Sequence, residues 1–252
     1  MIVEKELWNE IPILHVYKEE MTNETPVVIF LHGFLSAKEH NLHYAYTLVE
    51  KGVRVILPDA YLHGERTQSY SEAKMNSMFW EIVLNYIQDV GIIYEELHKR
   101  NVLTTEAIGV AGTSMGGITT AGCLKNYNWI KTAGILMGIT SYTDMAQYQV
   151  RQLKEQGIEI PIAEEQQQAV LDRLAQYNID SSLEIFERVP TIFWHGKQDN
   201  VVPYYMTYPF YEYLIKENKA HKARYILDEK AGHAVSRNGM LEVTEWLAQH
   251  LA

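Results

Sequence analysis

Apolar residues in this chain follow two alternating patterns. Residues 26–31, 53–57, 106–111, 132–137, 189–194 and 223–227 are short, nearly continuous apolar runs, the pattern of strands covered on both faces. Between them lie longer stretches whose apolar positions recur at helical spacing: 42–51, stopped by Gly52; 74–100; the run after Ser114; 203–218, opening at Pro203; and 241–251. Within 74–100, Met78, Ile82, Tyr86 and Val90 share one face. Residues 2–8 and 11–18 are β-type runs separated by Asn9-Glu10, which predicts an N-terminal hairpin. Pro58 is expected to break off the strand before it, and the polar residues 67–73 read as a loop.

Strands that alternate with helices imply an α/β fold, a mostly parallel sheet of about eight strands flanked by helices. The rhythm breaks once, over 141–188, where helical character around 145–156 and 164–177 is separated by Gly157 and Pro161. This stretch reads as a small helical cap inserted into a single domain spanning 1–252. There is no internal repeat, low-complexity tract or linker.

Composition narrows the classes of partner. With 22 Lys and Arg against 32 Asp and Glu, the formal net charge is −10 and no basic block is present, so no electrostatic grip on nucleic acid or an anionic membrane is expected. A single cysteine, Cys123, cannot form an internal disulfide, which suits a reducing compartment, and its place in an apolar helix predicts a packed thiol. The first residues lack the basic start and apolar run of a secretion signal, and no stretch has the length of a membrane span. A cytoplasmic location is the expectation. A homodimer is compatible with the sequence, but no motif supports one.

Chemistry concentrates around Gly112-Thr113-Ser114-Met115-Gly116. A buried strand turning sharply into a helix presents one side chain at the tip of the turn, and the flanking positions leave almost no room for a Cβ atom. A serine hydroxyl is a weak nucleophile unless a base takes its proton, and that base needs a carboxylate to hold its tautomer. His233, in Ala231-Gly232-His233, and Asp199, in His195-Gly196-Lys197-Gln198-Asp199, follow the last two predicted strands, at the ends where functional groups gather in such a sheet. The chain order Ser, acid, His differs from the chymotrypsin and subtilisin orders.

Together with His32-Gly33-Phe34, these motifs look like the α/β-hydrolase superfamily over nearly the whole chain. Pro58-Asp59 with His63-Gly64-Glu65-Arg66 resembles small bacterial esterases related to the prolyl oligopeptidase and dienelactone hydrolase branches. The resemblance implies Ser114 as nucleophile, His233 as general base and acid, Asp199 as its orienting carboxylate, and the backbone N–H groups of Phe34 and Met115 as the oxyanion hole. It implies hydrolysis of small or medium acyl esters through an acyl-enzyme, with no metal or organic cofactor. Dienelactone hydrolases use cysteine where this chain has Ser114, and the single glycine of His32-Gly33-Phe34 departs from the His-Gly-Gly-Gly loop of lipases. A peptidase or thioesterase with the same three residues, and a non-catalytic binding module on the same fold, are the alternatives.

Other residues carry less. His63 and Arg66 are candidates for the substrate pocket, set against a role in holding their loop, and Asp59 reads as a loop-shaping carboxylate. Met145 and Tyr148, in the inserted segment, are candidates for lining the substrate site. His40 and His43 sit three apart on a predicted helix without a supporting ligand, so they read as a helix face. His32 and His195 read as loop organisers, and the aromatic group from Tyr204 to Tyr213 as helix packing against the sheet.

Overall fold

The computed structural model describes residues 1–157 and 164–252. Eight strands form one sheet: β1 (Ile2–Trp8), β2 (Ile11–Tyr17), β3 (Val27–Leu31), β4 (Arg54–Pro58), β5 (Ile108–Thr113), β6 (Thr132–Leu136), β7 (Thr191–Gly196) and β8 (Ala223–Asp228). Their spatial order is β1-β2-β4-β3-β5-β6-β7-β8, antiparallel at β1/β2 and β2/β4 and parallel from β4 to β8. Pro58 ends β4 from within, paired with Ile13 of β2, rather than lying beyond the strand.

Successive residues of a strand face opposite sides, and the two sides build two cores. Val27, Ile29 and Leu31 of β3 join a core with α3 (Phe79–Lys99) and α4 (Met115–Asn126). Val28 and Phe30 join another with α1 (Leu42–Glu50) and α9 (Arg237–Gln249). Buried on both faces, β3 has no position at which a polar side chain would be tolerated, which explains its unbroken apolar run. Cys123 is fully buried inside α4, and burial pushes its thiol well above the ordinary range.

The helical pattern over 74–100 resolves into α2 (Glu72–Ser77) and α3, divided at Met78. Ser71 caps α2 by accepting the Lys74 N–H, so the segment expected to be loop already contains a helix start. Ser236 likewise caps α9 and starts it at Arg237, ahead of the expected Leu241. Between β6 and β7 lie α5 (Tyr142–Glu155), α6 (Glu164–Ala175) and the short α7 (Glu184–Arg188). Pro161, expected to separate the first two, lies outside the described residues. The helix expected from Pro203 is a 3-10 turn, Tyr204–Met206, followed by α8 (Tyr208–Lys216). In α8 only Leu214 is fully buried, but Tyr208 and Tyr211 meet the Tyr225 ring of β8 and Phe210 packs on Phe186, so much of this aromatic group packs inward as expected, while Tyr205 and Tyr213 are exposed. Among the described residues no helix is long and apolar enough to cross a membrane.

Candidate active site

Ser114 occupies the turn from β5 into α4 with φ 55° and ψ −117°, a conformation costly for any residue with a Cβ. Its neighbours make room for it. A Cβ on Gly112 would lie 2.6 Å from the Gly116 carbonyl carbon, and one on Gly116 would lie 2.2 Å from the Leu31 carbonyl oxygen. The elbow is pinned by a hydrogen bond from the Ser114 N–H to the Leu136 carbonyl, 2.8 Å.

His233 stands in the loop between β8 and α9. Asp228, at the end of β8, accepts the N–H groups of Lys230 and Ala231 and so folds that loop back on itself. The Ala231 carbonyl accepts the Gln198 N–H at 2.9 Å, tying the loop to the one carrying Asp199. The result joins three distant positions. His233 Nε2 lies 2.9 Å from Ser114 Oγ, and His233 Nδ1 lies 2.7 Å from Asp199 Oδ2. With Nδ1–H donating to the carboxylate, Nε2 is left to accept the serine hydroxyl proton.

Asp199 is buried and fully engaged. Its Oδ1 accepts the N–H groups of Val201 and Val202, each at 2.9 Å. Burial alone would raise its pKa, but the hydrogen bonds from His233, Val202 and Val201 outweigh it and hold the carboxyl below the ordinary aspartate range. His195 braces the same turn, donating from Nε2 to the Val202 carbonyl at 2.8 Å. Its expected role as a loop organiser matches this contact.

The His32-Gly33-Phe34 loop runs directly beside the elbow. An ideal Cβ on Gly33 would lie 3.6 Å from Ser114 Cβ. His32 Nε2 accepts the Ala60 N–H at 3.0 Å, so its proton is on Nδ1, which donates to the Gly33 carbonyl at 2.7 Å. A trans peptide then points the Phe34 N–H the opposite way. One residue on, the Leu35 N–H donates to His63 Nε2 at 3.0 Å, while His63 Nδ1 donates to the Tyr61 carbonyl. Among the described residues no acceptor is bonded to the N–H of Phe34 or of Met115.

His63 and Arg66 are therefore scaffold and not pocket wall. His63 is buried behind Leu35, and Arg66 bonds Asp89 at 2.5 Å and the Asp59 carbonyl at 3.1 Å, which leaves its guanidinium no reach toward Ser114. Met145 and Tyr148 do stand in the wall of the cavity that contains Ser114. That cavity measures about 520 Å³. Phe34, Phe79, Ile118, Met145 and Val202 supply apolar surface, and Asn76, Gln149, Gln152, Gln156 and Asn200 supply amides. Among the described residues that line it, none is Asp, Glu, Lys or Arg. The glutamines went unrecognised in the sequence, although Met145, Gln149, Gln152 and Gln156 repeat at spacings of four, three and four, the mark of one helix face.

Lys38 was also not legible. Its side chain is fully buried, with Nζ 2.6 Å from both Asp59 Oδ2 and Glu65 Oε1, and Asp59 in turn accepts the N–H groups of Lys38 and Glu65. Burial opposes the charge, but the hydrogen bonds to Asp59 and Glu65 prevail and hold the ammonium above the ordinary lysine range. This cluster ties the loop after β4 to the segment that follows Phe34. Lys38→Met leaves the fully buried Asp59 carboxylate without its counter-ion, with an expected loss of about 3–5 kcal/mol. Urea unfolding of the two proteins checks this; coincident midpoints would refute it.

Burial keeps His32 neutral, pushing its pKa down to about 4 from an ordinary 6.5, and burial also lowers His15, His63 and His195. A proton taken up by the unfolded chain below pH 6.5 is refused by the folded one until about pH 4, so stability falls as pH drops across that window. His32 alone accounts for a loss of order 3 kcal/mol. The apparent Tm should therefore drop between pH 7 and pH 4.5, with a shallower slope in His32→Gln; an unchanged slope would remove His32 from the account.

A mostly parallel sheet with a serine on a strand–helix elbow, and an aspartate and a histidine after the last two strands, defines an α/β-hydrolase. Residues 40–252 match the prolyl oligopeptidase family, and the chain belongs to that family of serine hydrolases. It is 42% identical over 253 residues to the Bacillus subtilis (strain 168) protein named "Putative esterase YitV", covering 99% of each chain. It is 31% identical over 198 residues to "Esterase YjfP" of Escherichia coli (strain K12), covering 77% of each. Its fold superposes on TT1662 from Thermus thermophilus with a TM-score of 0.78 at 20% identity, covering 99% of this chain and 98% of the other.

Proposed function

We propose that this protein is a carboxylesterase that hydrolyses small or medium, uncharged acyl esters through an acyl-enzyme on Ser114. The observation that carries the reading is the alignment of Ser114 Oγ, His233 and Asp199 at 2.9 and 2.7 Å. His233 Nε2 takes the hydroxyl proton as Oγ attacks the ester carbonyl, and the imidazolium that forms is balanced by Asp199. The N–H groups of Met115 and Phe34 receive the oxyanion, where each such donor contributes about 10²–10³ in rate. His233 then protonates the leaving alcohol, the Oγ–acyl bond remains, and a water activated by the same ring releases the acid.

The esterase names of the two relatives support this reading over a peptidase or a thioesterase. A cavity of about 520 Å³ without charged walls fits a compact neutral substrate. The test is a p-nitrophenyl ester series from acetate to octanoate. Turnover is expected to be highest on short or medium chains and to decline toward octanoate; no turnover above background on any member would overturn the reading.

A further inference from the structure

Gln149 lies on the partition between the Ser114 cavity and a separate apolar groove beside α6, lining both. Trp80 lines the groove but not the Ser114 cavity. Its indole Nε1 donates to Gln149 Oε1 at 3.0 Å. An indole N–H can only donate, so it settles which end of the amide is which: the carbonyl oxygen faces Trp80 and the NH₂ is turned away from it. Among the described residues no acceptor is bonded to that nitrogen, and it is not sealed from solvent.

We infer that the Gln149 NH₂ is a substrate-recognition donor in the Ser114 cavity, selecting neutral esters that carry a second oxygen acceptor, an ether, hydroxyl or carbonyl, away from the scissile bond. The inference rests on the proposed ester hydrolysis at Ser114. An all-hydrocarbon ester would desolvate this amide without replacing its lost water, whereas an oxygenated one satisfies it. With no acidic or basic residue in the described lining, polar selection falls to neutral groups, the amides and the Tyr148 hydroxyl, and of these Gln149 has its carbonyl held by an indole. Gln152 differs, because one of its two amide N–H groups is already bonded to the Glu155 carboxylate.

The test is the rate at which Ser114 is labelled by two fluorophosphonates identical except for the tail, one alkyl and the other the oligoether of equal length. In both, the Ser114 Oγ–P bond forms, the P–F bond breaks, fluoride leaves and the proton passes to His233, so the reactive head is constant. The wild type is expected to favour the oligoether about tenfold. Gln149→Met, similar in volume but without a donor, should bring the ratio of rates close to one. Trp80→Phe, which frees the amide to flip, should give an intermediate ratio. A wild type without oligoether preference, or a preference unchanged in Gln149→Met, would overturn the subsite while leaving the esterase reading intact. No labelling of Ser114 by either probe would overturn the nucleophile assignment, and the subsite with it.

Discussion

Ser114→Ala is expected to lower kcat/KM for ester hydrolysis by about 10⁴-fold or more, to the level that transition-state binding alone sustains. The size of the effect follows from the geometry. His233 and Asp199 have no other group to activate at this position, since the 2.9 Å contact from His233 Nε2 ends on Ser114 Oγ. Losing the hydroxyl therefore removes the work of all three residues together, and Asp199→Ala added to Ser114→Ala should cost little more. The backbone at 114 already carries a Cβ at φ 55°, so alanine introduces no new strain and the variant should remain folded. Single-turnover kinetics with p-nitrophenyl acetate, alongside circular dichroism of both proteins, reads the two quantities separately. Residual activity within tenfold of the wild type in a folded variant would place the nucleophile elsewhere.

Gly116→Ala is expected to destabilise the protein by about 4 kcal/mol or more, in the exceptional range for one substitution. An added Cβ would sit 2.2 Å from the Leu31 carbonyl oxygen, 2.6 Å from its carbon and 2.9 Å from the His32 oxygen, all backbone atoms. Relief requires separating the start of α4 from the end of β3, which opens the centre of the sheet because β3 pairs with β5 from Val27↔Ile108 to Leu31↔Gly112. Gly33→Ala supplies the comparison on the facing loop. Its Cβ would meet nothing closer than 3.5 Å and its φ is not in the left-handed region, so a loss below about 1 kcal/mol is expected. Equilibrium denaturation of the two variants should separate widely, and overlapping curves would show that the elbow yields more readily than its contacts imply.

The three residues that the structure brings together at the candidate site were legible because each is tied to a local backbone feature. Ser114 sits between glycines that no other residue could replace, and Asp199 and His233 follow strands whose apolar runs are visible in the chain. The helix boundaries were less so. Apolar spacing continues smoothly through Met78 and hides the break before Phe79, while the Ser71 cap of α2, a contact only three positions long, lies inside a polar run that reads as loop. Candidate roles for His63 and Arg66 failed for a related reason. Nothing local shows that Leu35 N–H needs an acceptor 28 positions away, or that Asp89 waits for a guanidinium 23 positions earlier.

The sequence by itself determined the strand–helix order, the elbow and the chain order of the three site residues, because hydrophobic periodicity and glycine sterics act over a few neighbouring positions. Only the tertiary structure decided that His233 reaches Ser114 across 119 positions and Asp199 across 34, and that Lys38 is buried against Asp59. It alone turned the Gln149 carbonyl toward the indole of Trp80, 69 positions earlier in the chain. Such contacts are set by side chains that meet only after the sheet has closed, and the direction of a hydrogen bond is a property of two partners, not of either sequence neighbourhood.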